Sequence, residues 1–78
     1  MHKALASLSS LDIERVLKKF GFLLNRQHGS HRQFVGFIKG TKRRVTVVAG
    51  QKEFPKEILR SMIRQSGLSE EEWLEAIR

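Results

Sequence analysis

Residues 29–48 read GSHRQFVGFIKGTKRRVTVV, and the fold turns on how that stretch is divided. From His31 the side chains alternate. His31, Gln33, Val35 and Phe37 fall on one face of an extended strand; Arg32, Phe34, Gly36 and Ile38 fall on the other. Both faces carry apolar residues. Phe34 and Ile38 mark the second as the core side, with Arg32 only at its edge. Lys39 to Lys42, with Gly40 inside, reads as a polar turn. Arg43 to Val48 follows as a strand rich in β-branched residues. Upstream, Phe22 to Arg26 reads as a short strand and Gln27 to Ser30 as a turn, with Gly29 supplying a permissive backbone. Three successive strands with short turns form an antiparallel meander.

Helical signals flank the meander. Ser9 is a good N-cap, and Asp12 completes an aspartate variant of the capping box. Leu8 and Ile13 flank this cap as a hydrophobic staple does. Ile13, Val16, Leu17 and Phe20 then share one helical face, and Gly21 terminates a helix over about 10–20. After a loop from Ala49 to Phe54, Pro55 suits a first helical turn. Ile58, Leu59, Met62 and Ile63 form its apolar stripe, and Gly67 its C′ residue. Ser69 with Glu72 is a second capping box, stapled by Leu68 and Trp73. It opens a short helix, 70–77, that buries Trp73, Leu74 and Ile77 or offers them to a partner. The order α–β–β–β–α, with a short C-terminal helix, predicts an α+β fold with helices on one face of a three-stranded antiparallel sheet. It is also the order of the double-stranded-RNA-binding domain. Order alone does not give function.

Seventy-eight residues leave room for a single domain, 1–78, with one modest core. There is no cysteine, so disulfides, thiolate metal sites and cysteine nucleophiles are excluded. No apolar run reaches the ~20 residues of a membrane span, and no signal-peptide pattern opens the chain, so the cytoplasm is the expected compartment. Net charge is +7 and is unevenly placed. Residues 1–68 carry 14 Lys/Arg against 4 Asp/Glu, whereas 69–78 carry 4 Glu against Arg78. So basic a body attracts a polyanion, nucleic acid foremost. The same charge also suits an acidic protein partner or an anionic membrane surface.

Histidine changes its charge near neutral pH. His31, set after the Gly29-Ser30 turn on a cationic body, is therefore the candidate acid or base for chemistry on RNA. His28 lies three residues upstream and is a candidate second proton-transfer group. Gly29 allows a close approach to phosphate, and Ser30 either donates to a phosphate oxygen or caps the turn. Arg32, Lys42, Arg43, Arg44, Lys52, Lys56 and Arg60 are candidate phosphate contacts, with Lys56 near a helix N-terminus. The three histidines lack the spacing of helical metal ligands, and carboxylates are scarce before residue 53, so no metal or other cofactor is expected. With no tyrosine and one tryptophan, a broad aromatic platform for single strands is not evident.

Several segments together resemble the HicA family of bacterial toxins. A serine-opened helix ends in Lys19-Phe20-Gly21-Phe22. Gly29-Ser30-His31 follows, with Phe34 three residues after the histidine, and then Val45-Thr46-Val47-Val48. Phe54-Pro55-Lys56 leads to Leu59-Arg60-Ser61, Ile63 and Gly67-Leu68. The set covers about residues 9–68, and an acidic helix like 69–78 is a common family ending. The resemblance implies a small, metal-independent endoribonuclease that cleaves mRNA and is neutralised by a HicB-type antitoxin. Its catalytic histidine corresponds to His31. Many members carry histidine or proline just after the third strand; here the segment is Ala49-Gly50-Gln51. Two other readings of the residues are a non-catalytic RNA-binding module and a basic protein-interaction domain.

Overall fold

The computed structural model describes residues 1–78. In chain order the elements are α1 (Lys3–Ala6), α2 (Ser10–Lys19), β1 (Leu23–His28), β2 (His31–Ile38), β3 (Thr41–Val48), α3 (Lys56–Ser66) and α4 (Glu70–Ile77). The fold is α+β, with strand order β1-β2-β3 and both pairings antiparallel.

Both hairpin turns have two residues, and their backbones explain their sequences. Gly29, the first central residue between β1 and β2, has φ +60°, as a II′ turn requires of its glycine. Lys39 and Gly40 between β2 and β3 have φ +52° and +80°, the paired left-handed conformation of a I′ turn. These tight turns lengthen the strands beyond their sequence reading. β1 runs on to His28 and β3 starts at Thr41, because backbone pairing extends to the turn residues whatever their polarity.

Register sorts the sheet into two faces. Phe34 lies opposite Val45, and Arg32 opposite Val47. Phe34, Ile38, Val45 and Val47 are buried under the helices, so the expected core face of β2 is the observed one. Gly36 shares that face because Phe22 fills the space: a Cβ at Gly36 would stand 2.8 Å from the Phe22 ring. α2 buries Ile13, Val16 and Leu17, and α3 buries Leu59, Met62 and Ile63. Trp73 of α4 is fully buried and donates from Nε1 to Ser66 Oγ (3.1 Å). It therefore belongs to the core, with Leu74 and Ile77 packed against it at the margin. Both capping boxes are formed, at Ser9/Asp12 and Ser69/Glu72.

The N-terminal turn α1 has no counterpart in the sequence reading. Four residues are too few to show helical periodicity, yet Leu5 is fully buried and His2 Nδ1 accepts from Ala4 N–H. No helix is long and apolar enough to cross a membrane.

Candidate active site

The opposite face of the sheet carries no helix. Its cross-strand rows, read from the registers, are His28–His31–Val48, Arg26–Gln33–Thr46, Leu23–Val35–Arg44 and Phe37–Lys42. Residues directly opposite each other on an antiparallel pair point to the same side, with Cα atoms about 5 Å apart. His28 and His31 are thus neighbours flanking the Gly29-Ser30 turn, and both are exposed. The turn is anchored from the far side of β2, where Ala49 N–H donates to the Ser30 carbonyl at 2.7 Å. This bond sets the Ala49-Gly50-Gln51 segment beside the histidines. Gln51 in turn accepts from the Ser10 amide and hydroxyl, which ties the same segment to the start of α2. Chain direction brings Lys52 and Lys56 to this end of the sheet, and both are exposed.

The candidate cations divide by face. Lys42 and Arg44 lie on the free face, exposed and without an acidic partner. Arg26 joins them there, a residue the sequence reading left unassigned. Lys56 and Arg60 are exposed one turn apart on α3, in the helical layer. Arg32 and Arg43, expected among the phosphate contacts, both turn to the inner face. Strand alternation is the reason: each is one residue out of step with the free-face set. Arg43 is half-buried with its Nε packed against Gly67, where a Cβ would come within 2.5 Å.

Arg32 is engaged by three polar contacts. Its Nε and Nη2 donate to the Glu14 carboxylate (2.8 and 3.3 Å), and Nη1 donates to Gln27 Oε1 (2.9 Å). Gln27 Nε2 then donates to the Gly29 carbonyl (3.1 Å). A charged network therefore runs from buried Glu14 on α2 to the turn that carries His31. Sequence reasoning missed Glu14 and Gln27. The available signal was a carboxylate beside Ile13, Val16 and Leu17, next to the apolar arc of α2.

Chemically, this end of the molecule offers two imidazoles on adjacent strands, a glycine turn that a phosphate can approach, and unpaired cations beyond it. From Arg15 to Lys52 the chain has no acidic residue at all. The carboxylates held below their usual range lie elsewhere. Asp12 is held down chiefly by the Ser9 backbone N–H and then by the Ser9 hydroxyl. Glu72 is held down chiefly by the Ser69 backbone N–H. No group of three or more His, Cys, Asp or Glu side chains converges on a point.

Residues 11–68 match the family described as HicA toxin of bacterial toxin-antitoxin. The chain belongs to the HicA toxin family. The match spans α2 through α3 and takes in the whole sheet, the Gly29-Ser30 turn and His31. α1 and α4 lie outside it. No curated protein matches the chain.

Proposed function

We propose that this HicA-family chain is an RNA endonuclease that cuts mRNA without a metal ion, with His31 as the central proton-transfer group. The observation that carries the reading is the His28–His31 pair at a glycine turn on a face free of acids. RNA supplies its own nucleophile. His31 takes the proton of a 2′-OH, and the 2′-oxygen attacks the adjacent phosphorus. The P–O5′ bond breaks as that oxygen receives a proton. The products are a 2′,3′-cyclic phosphate and a free 5′-OH. Each such proton transfer is typically worth ~10²–10⁴-fold in rate.

His28 is the side chain placed to supply the second proton, being the cross-strand neighbour of His31. Gly29 and Ser30 bring backbone to the phosphate, while Lys42 and Arg44 hold the strand further along the sheet. Lys52 and Lys56 add positive charge at the His31 end, and Arg60 adds it along α3. Arg32 and Arg43 support the sheet from its inner side. The toxin–antitoxin family implies an antitoxin; a HicB-type protein that covers His31 would silence the enzyme. Its place of action is the cytoplasm, where mRNA is found.

The test is cleavage of a defined RNA in EDTA by wild type, His31→Ala and His28→Ala, with end-group analysis of the fragments. Cyclic phosphate ends, abolished by His31→Ala and reduced by His28→Ala, support the reading. Cleavage that persists in His31→Ala overturns it.

A further inference from the structure

We infer that the free face of the sheet is a track for single-stranded RNA, with Phe37 as a stacking platform for a base a few nucleotides from the cut. The inference deepens the endonuclease reading and rests on it for the position of the cut.

Phe37 is 70% exposed near the end of β2 on the central strand, and it contributes nothing to the core. It lies six residues along β2 from His31, on the same face, a separation of about 20 Å at the strand rise. Its cross-strand partner is Lys42, and Arg44 stands in the next row. Arg26 lies one row nearer the histidines. No Asp or Glu occurs in any of the three strands, so nothing on this face repels a phosphate. Beside Phe37 lies an open groove of about 520 Å³, whose walls include Leu23, Val35 and the Phe20-Gly21 turn. The groove is largely apolar, as a base requires, and Arg44 and Lys42 stand opposite its Val35 and Phe37 on the neighbouring strand, where a backbone would run.

Bases paired in a duplex keep their π-faces covered, so an exposed ring beside unpaired cations selects unpaired strands. Charge also decides between RNA and a protein partner. Three cations, Arg26, Lys42 and Arg44, share the face with the two histidines, and no acid does, which favours a polyanion over an apolar protein surface.

The probe is a single-stranded 2′-O-methyl RNA, which lacks the attacking hydroxyl, carrying 2-aminopurine at successive positions. Quenching of that base on binding reports stacking. In wild type one position should be quenched, and Phe37→Ala should abolish that quench. Phe37→Ala should also weaken binding by about 5- to 150-fold, the range for loss of one stacked base. Phe37→Trp should retain both. For cleavable RNA, Phe37→Ala should raise KM and leave kcat near wild type. Leu11→Ala, at an equally exposed apolar residue on α2, should change neither. Because the probe cannot be cut, a failure of the cleavage chemistry leaves this binding result intact. Unchanged affinity and quenching in Phe37→Ala overturn the track and assign the patch to a protein partner. Tighter binding of the corresponding duplex overturns it too.

Discussion

Arg32→Ala should destabilise the protein while leaving its electrostatic grip on RNA unchanged. The Arg32 side chain is 24% exposed and that of Glu14 only 8%. Removing the arginine strands a buried carboxylate that now accepts two hydrogen bonds from it. Breaking a fully buried pair in this way costs ~3–5 kcal/mol. Water reaches the arginine side of this pair, so about 2–3 kcal/mol is expected. In a domain of this size that lowers Tm by roughly 10–20 °C. The double variant Glu14→Leu/Arg32→Met, which removes both charges at similar volume, should recover most of the loss. Urea titration measures the stability. Parallel binding across a salt series separates the two roles, since losing one phosphate contact lowers the salt slope by about 1. Arg44→Ala should show that lower slope with stability within about 0.5 kcal/mol of wild type. The reasoning is refuted if Arg32→Ala is as stable as wild type and shows the reduced slope instead.

Gly36→Ala would press a methyl group into the Phe22 ring, at 2.8 Å from Cγ, and should cost about 1–3 kcal/mol by urea midpoint. Asp12→Asn should be less stable than wild type at pH 7 by about 0.3–1 kcal/mol, as for an exposed carboxylate at a helix N-terminus. The folded pKa of Asp12 is lowered, so its contribution is complete above the unfolded value near 4 and fades as pH falls through the folded one. The gap between the two proteins should therefore close in acid, as followed by thermal melts across pH. Trp73→Phe should lose the bond to buried Ser66, lowering Tm without altering cleavage at a permissive temperature.

Much of the fold was legible because local signals agree with tertiary ones. Ser9, Gly21, Gly67 and Ser69 punctuate the helices, and both capping boxes formed as read. The alternation of β2 placed Phe34 and Ile38 inside. What escaped depends on partners distant in sequence. Nothing near Lys3–Ala6 announces a helix, whose Leu5 is buried by the same core that holds α3 and α4. The cations were readable as a set but not as individuals. The cluster Lys42-Arg43-Arg44 alternates across the sheet, so only its first and last members reach the free face. Arg32 was indistinguishable from a free cation until Glu14, 18 residues away, came beside it. His28 became the neighbour of His31 only once a two-residue turn fixed the register.

The central claim is that His31 carries chemistry on RNA and not merely binding. The most direct measurement compares wild type with His31→Ala on one defined RNA in EDTA, scoring cleavage and affinity on the same samples. The account predicts that wild type cuts to leave 2′,3′-cyclic phosphate ends, while His31→Ala binds with similar affinity and leaves the RNA whole. Equal cutting by both proteins, or binding without cutting by both, would contradict it.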